Sequence, residues 1–195
     1  MTTELGRRER KKAATRKALA DAALELFLAR GFDDVGVREI AEAADVSTAT
    51  LFKHFPTKES LVFDRDADRE AALIAAVRER PPGLSVFAAL REYLRGTIAA
   101  MEPASPHLVA YLALIENSEA LRAYSRRMWL RHETTLAQAI FDETGGSVAA
   151  ETCRVFAHFA LESRQMLYGE PRPAVVFERI FDLLEVGWCK AETLG

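Results

Sequence analysis

A helical segment from Thr48 to His54 carries the side chains in this sequence best suited to contact another macromolecule. Leu51 and Phe55 are four positions apart, so in a helix they share one face and can pack against the rest of the protein. The opposite face carries small, hydroxyl, amino and imidazole side chains, which suit close approach to phosphates and base edges. These side chains are Thr48, Ala49, Thr50, Lys53 and His54.

The neighbouring residues predict how this segment is positioned. Val37, Ile40 and Ala44 form a short apolar stripe of a preceding helix, and Glu39 lies three residues after Gly36, where it can meet free amide groups. Ser47 is placed to cap the second helix. The proline at position 56 ends that helix, because it restricts the residue before it to extended conformations. The pattern predicts a helix-turn-helix whose second helix enters the major groove of DNA.

A basic segment precedes this motif. Residues 1–17 contain seven Lys and Arg against two Glu, although the whole chain has a net charge of −3. Such a segment can neutralise phosphates, and we interpret residues 1–14 as a flexible basic arm. The alternative is a solvated terminus without a partner. The position of this segment just ahead of the helix-turn-helix favours the first interpretation.

The rest of the chain is predicted to be helical. Residues 81–83, 102–106 and 169–173 contain the prolines and glycines that separate segments with helical periodicity. We expect an all-α fold of about nine helices, with a helix-turn-helix domain over residues 15–60 and a larger helical domain over residues 61–195. Thr57 to Glu79 is predicted to form one helix of 23 residues, about 35 Å long.

The motif residues resemble those of the tetracycline-repressor (TetR) family of bacterial regulators. The family pattern is present as Gly31-Phe32, Val37-Arg38-Glu39-Ile40-Ala41, Val46-Ser47, Thr50-Leu51, His54-Phe55 and Lys58-Glu59-Ser60-Leu61. The match covers roughly residues 15–63 and agrees at both apolar and polar positions. The resemblance implies a homodimeric regulator that binds double-stranded DNA and is released from a palindromic operator by a small effector.

The resemblance also implies DNA contacts at particular positions. Asp45 replaces the family's usual turn glycine, and aspartate tolerates the left-handed conformation that the turn requires. Phe52 stands where a tyrosine hydroxyl commonly contacts a phosphate, so only apolar contacts to a thymine methyl or the sugar are left to it. The DNA-binding residues expected on all these grounds are Arg38, Ser47, Thr48, Ala49, Thr50, Phe52, Lys53, His54 and Lys58.

The resemblance assigns dimerisation and effector binding to the larger domain. Its last two helices, near residues 148–168 and 174–190, carry more apolar side chains than one face of a monomer core needs, among them Phe156, Phe159, Phe177 and Trp188. The effector is expected to be hydrophobic, or similar to an acyl-CoA. The candidate effector-binding residues are Phe87, Leu90, Leu94, His107, Tyr111, Trp129, His132, Phe156, His158, Phe159 and Arg164.

Other classes of protein are less well supported. The sequence contains no apolar run near the length of a membrane span and no signal peptide pattern, so we expect a cytoplasmic protein. Cys153 and Cys189 are expected to be buried free thiols, and the spacing of Cys and His residues predicts no metal site. No catalytic motif or cofactor is predicted. The alternative is a helical ligand-binding enzyme or scaffold that does not bind DNA.

Overall fold

The described residues of the protein form ten helices and no strand, which confirms the predicted all-α class. A computed structural model describes residues 6–99 and 105–194. The helices are α1 (Arg7–Arg30), α2 (Val37–Ala43), α3 (Thr48–His54), α4 (Glu59–Val62), α5 (Asp66–Arg78), α6 (Val86–Ala99), α7 (Pro106–Glu116), α8 (Glu119–Glu143), α9 (Ala150–Gln165) and α10 (Pro173–Leu194). None of the helices among these residues is long and apolar enough to cross a membrane.

The chain forms two compact units. One contains Met1–Asp66 and Val109–Ser125, and the other contains Ala67–Leu108 and Arg126–Gly195. The boundary therefore falls inside α7 and α8, whereas the sequence predicted a single boundary near residue 60.

The first unit is built around the helix-turn-helix. Apolar side chains from α1, α2, α3 and α4 are completely or almost completely buried there: Leu19, Ala23, Phe27, Ile40, Leu51, Phe55 and Leu61. The Phe27 and Phe32 ring centroids are 5.0 Å apart, which places the residues after α1 against that helix. Because Leu51 and Phe55 are both fully buried, the opposite face of α3 is turned outward.

Two sequence predictions about the first unit are wrong. The segment expected to be a flexible arm is helical from Arg7 onward, and residues 1–5 lie outside the described part of the chain. The single helix predicted from Thr57 is interrupted, because α4 ends at Val62 and α5 begins at Asp66. Ser60, Leu61, Val62 and Phe63 are all buried, and four consecutive residues cannot all lie on one face of a continuous helix.

The second unit has a core of its own formed by α5, α6, α8, α9 and α10. The Phe156 ring lies 5.0 Å from that of Phe87 and 4.7 Å from that of Trp188, between ring centroids. Phe177 is also completely buried. Three of the aromatic residues that the sequence analysis regarded as surplus to a monomer core, Phe156, Phe177 and Trp188, therefore belong to it, whereas Phe159 is 48% exposed.

The two cysteines are free thiols, as predicted. Cys153 is buried in α9, as expected, whereas the expectation of a buried Cys189 is wrong, because this residue lies on an exposed side of α10. Burial raises the pKa of the Cys153 thiol, so this sulfur is kept protonated and unreactive.

Candidate nucleic-acid interface

The recognition helix α3 is held by local interactions at both ends. Ser47 Oγ accepts a hydrogen bond from the Thr50 backbone amide at 3.1 Å, which is the predicted cap. At the other end Phe55 is extended, with φ −134° and ψ 106°, as expected before a proline. The turn before α3 places Asp45 at φ 52°, the only positive φ of a non-glycine residue in the described chain. The predicted left-handed turn is therefore present.

The outward face of α3 carries most of the predicted DNA contacts. Ala49, Phe52 and Lys53 are exposed, and Thr48, Thr50 and His54 are partly exposed. The Thr50 hydroxyl lies 2.9 Å from that of Ser47, so the two share a hydrogen bond. Arg38 is exposed on α2.

Lys58 differs from the other predicted contacts because its ammonium group is directed at the protein. Its Nζ donates a hydrogen bond to the Phe32 carbonyl at 2.6 Å and lies 4.2 Å from the centre of the Phe32 ring. Burial lowers the pKa of Lys58, against the opposing effect of nearby carboxylates such as Asp33. In this structure Lys58 links the start of α4 to the segment after α1, and its ammonium has two further N–H groups to donate.

The structure adds residues to this surface that the sequence analysis did not assign to the site. The first turns of α1 and the outward face of α3 enclose a cleft of about 480 Å³. Its lining consists of Arg8, Glu9, Lys11, Lys12, Thr15, Thr50, Lys53 and His54. The signal was present as the basic segment, but interpreting that segment as a flexible arm concealed its helical spacing.

His54 lies at the meeting point of these charges. Partial burial is the largest effect that lowers the pKa of its imidazole, followed by the positive charges of Arg16, Lys12 and Lys53. The imidazole is therefore neutral at pH 7 and offers one donor and one acceptor nitrogen.

The predicted effector-binding residues fall into several groups. Phe87, Leu90, Leu94 and Phe156 are packed inside the core of the second unit, and Trp129 is packed against it. His132 is buried beside Glu70, with 4.0 Å between Nε2 and Oε2. The remaining candidates are exposed, partly buried or in the other unit: His107, His158, Phe159, Arg164 and Tyr111.

Three of these polar candidates have identifiable environments. Tyr111 donates a hydrogen bond to the Val62 carbonyl at 3.3 Å within the first unit. His158 lies 2.9 Å from a Glu133 oxygen on the surface of the second unit. Arg164 has a buried Nε atom with no hydrogen-bond partner among the described residues. Of these three residues, only Arg164 has a buried donor that lacks a hydrogen-bond acceptor among the described residues.

The fold and the outward face of α3 have the layout of a helix-turn-helix. Residues 19–64 match the family described as bacterial regulatory proteins, tetR family. The chain belongs to this family.

Relatives and solved structures agree with this assignment. The HTH-type transcriptional regulator TcmR of Streptomyces glaucescens is 32% identical over 146 residues, which cover 72% of this chain and 65% of TcmR. RutR of Escherichia coli K12 is 38% identical over 93 residues, covering 46% of this chain and 42% of RutR. The chain thus matches about two thirds of one relative and less than half of the other. These relatives are transcriptional regulators, which does not support the alternative of an enzyme or a scaffold that does not bind DNA.

The fold is shared with a solved repressor. NalD, the secondary repressor of the MexAB-OprM multidrug efflux pump in Pseudomonas aeruginosa, has a TM-score of 0.61 at 19% identity, covering 89% of this chain and 96% of NalD. This similarity concerns the fold and extends over both units of the chain.

Proposed function

We propose that this protein is a ligand-responsive transcriptional repressor that acts in the cytoplasm and binds a palindromic operator as a homodimer. The observation that carries the proposal is the division of α3 into two faces. Leu51 and Phe55 fasten the helix to the first unit, and the face formed by Thr48, Ala49, Thr50, Phe52, Lys53 and His54 is available to the major groove. We assign supporting backbone contacts to Arg38, Ser47 and Lys58.

Exposed apolar side chains on α9 and α10 support the homodimer. Val155 and Phe159 of α9 and Met166, which directly follows this helix, are spaced by four and seven residues, so they lie on one side of it. Val175, Leu183 and Val186 form a similar face on α10, where Leu183 is 74% exposed. Apolar faces of this kind mark association surfaces, and pairing them in two copies forms a four-helix bundle. Two recognition helices in one dimer would then read half-sites about 34–36 Å apart.

The unsatisfied Arg164 supports an effector that combines an apolar body with an anionic or acceptor group. Arg164 Nε and Trp188 Nε1 are both buried, and neither atom has a hydrogen-bond partner among the described residues. Burial also raises the pKa of the nearby Tyr93 phenol, while the positive charge of Arg164 opposes this effect. Leaving buried donors unpaired is unfavourable, so a ligand acceptor placed among these helices would be stabilised. An acyl-CoA-like molecule is one member of this class.

Release of the protein from its operator requires an effector that binds more tightly to the conformation that does not fit the operator. Changing the bound fraction from 99:1 to 1:99 needs a differential affinity of about 5.5 kcal/mol. An effector that buries an apolar body and pairs with Arg164 in only one conformation would provide such a difference.

The direct test is selection of genomic fragments from the source genome with the purified full chain, followed by affinity measurements on the selected duplex. Lys53→Ala should weaken binding and reduce the slope of log affinity against log salt by about one unit, because one phosphate contact is lost. Lys17→Ala is the matched control, since Lys17 is exposed on α1 outside the cleft and is paired with Asp21. The absence of any selected fragment after removal of bound small molecules would refute the proposal. Mass spectrometry of those molecules would identify the effector.

A further inference from the structure

The cleft between α1 and α3 carries an excess of positive charge. Arg8, Lys11, Lys12 and Lys53 line it together with a single carboxylate, that of Glu9. None of these four basic residues has an ion pair among the described residues. Bringing like charges together is unfavourable, so an anion in the cleft would be stabilised.

Helical spacing at the start of α1 builds one wall of the cleft. Arg8, Lys12 and Thr15 follow one another at intervals of four and three residues, so they lie on one face of α1. Arg10 lies on nearly the opposite side of the same turn, about 200° around the helix axis from Arg8, and it does not line the cleft. Arg8 and Arg10 carry the same charge in the same turn, so the helix face alone decides which of them lines the cleft.

Arg16 holds the two walls together. Its guanidinium donates a hydrogen bond at 2.7 Å to the carbonyl oxygen of His54, the last residue of α3. It also lies 4.2 Å from the centre of the Phe55 ring. The two walls of the cleft, α1 and α3, are therefore connected by partly buried contacts of Arg16.

We propose that this cleft binds a phosphate of the DNA backbone, so that the first two turns of α1 contact the strand whose bases α3 contacts. The inference rests on the proposed DNA-binding function and extends it to residues outside the helix-turn-helix. Lys12 and Arg8 supply charge from α1, Lys53 supplies it from α3, and the Thr15 and Thr50 hydroxyls supply neutral donors.

Phosphate binding in this cleft also has a consequence for protonation. The groups that face His54 are Arg16 and Lys12 from α1 and Lys53 from its own helix, and together with burial they keep the pKa of the imidazole low in the free protein. A phosphate would offset these positive charges and raise the pKa of His54. Binding then takes up a proton, so affinity should increase as the pH falls through the raised pKa of His54 in the complex towards its lower pKa in the free protein.

The test uses the purified full chain, a labelled duplex of random sequence at low salt, and the variants Arg8→Ala, Lys12→Ala and Arg10→Ala. Arg8→Ala and Lys12→Ala should each weaken binding about fivefold and flatten the salt slope by about one unit. Arg10→Ala should change both quantities much less, although it removes the same charge. Circular dichroism checks that all three variants fold, which is expected because the three side chains are exposed.

A second readout does not depend on DNA. The His54 imidazole is titrated by NMR in the full chain with and without inorganic phosphate, and its pKa should rise when phosphate is present. The cleft proposal would be overturned if the DNA affinity and salt slope were the same for Arg8→Ala, Lys12→Ala and Arg10→Ala and the His54 titration were unchanged. That result would leave the repressor proposal intact if genomic fragments are still selected. Conversely, the His54 pKa could rise with phosphate although the protein selects no genomic fragment. That result would refute only the repressor proposal.

Discussion

The guanidinium of Arg16 lies 4.2 Å from the centre of the ring of Phe55, the residue that directly follows the recognition helix α3. The same group donates hydrogen bonds to the carbonyl oxygens of His54 and Asp64, both at 2.7 Å. One side chain from α1 therefore satisfies a carbonyl at the end of α3 and another just beyond α4. These contacts connect α1 to the end of the recognition helix, although Arg16 lines neither the cleft nor the outward face of α3.

Replacing Arg16 with lysine should destabilise the protein while preserving its net charge. A lysine has one ammonium in place of the planar guanidinium, so it cannot donate hydrogen bonds to both carbonyls in the same geometry. We expect a loss of about 1–3 kcal/mol in the free energy of unfolding, measured by urea denaturation. Arg10→Lys, on the exposed side of α1, should be neutral. Equal stability of the two variants would show that the contacts of Arg16 contribute nothing to folding.

The turn before α3 makes a second prediction, because Asp45 has a φ of 52°. Asp45→Val should lower the free energy of unfolding by about 1–2 kcal/mol, since a β-branched residue is strained in the left-handed region. Asp45→Gly should be at least as stable as the natural protein. The control is Asp33→Gly, in a loop position with negative φ, where the added chain entropy of glycine should be destabilising. A tolerated valine at position 45 would contradict the assigned turn.

The ion pairs between α6 and α10 predict an acid-sensitive contribution to stability. Glu178 accepts hydrogen bonds from Arg95 at 2.6 Å and from Arg91 at 3.1 Å, and these bonds hold its pKa below the usual 4.5. Because the folded-state pKa is lowered, the stabilisation is present above pH 4.5 and is lost as the pH falls through the lower folded value.

Glu178→Gln should therefore reduce the stability at pH 7 and weaken its dependence on pH below 4.5. Glu178 is partly exposed and screened by solvent, so the loss is expected to be no more than about 1 kcal/mol. Urea denaturation at several pH values measures it. Glu185→Gln removes a pair to Arg91 in which the glutamate is more exposed, 49% against 36%, and it should have the smaller effect. The reverse order would argue against Glu178 as the centre of this network.

The apolar face on α9 and α10 predicts how dimerisation can be disrupted. Leu183→Glu places a charge in the middle of the proposed interface, where burying it would be costly, so sedimentation should show a shift from dimer to monomer. DNA affinity should fall as well, because one subunit reads only one half-site. Val109→Glu alters a similarly exposed apolar residue in the first unit and should leave the dimer intact. A Leu183→Glu protein that sediments as a dimer would place the interface elsewhere.

Local sequence determined the features of the helix-turn-helix that depend on neighbouring residues. The spacing of Leu51 and Phe55 selects the buried face of α3, Ser47 caps its start, and the proline at position 56 forces its end. These features follow from helical periodicity, capping and steric exclusion, each of which acts over a few positions. The all-α class and the resemblance to the TetR family could be predicted for the same reason.

Tertiary structure alone decided the features that depend on distant residues. Arg16 meets His54 and Asp64 across 38 and 48 positions, and Lys58 meets Phe32 across 26, so no local pattern could indicate these bonds. Burial of consecutive residues from Ser60 interrupts a helix that periodicity predicts as continuous. The choice between core and exposed residues on α9 and α10 likewise follows from which faces pack together, because an apolar side chain is compatible with either environment.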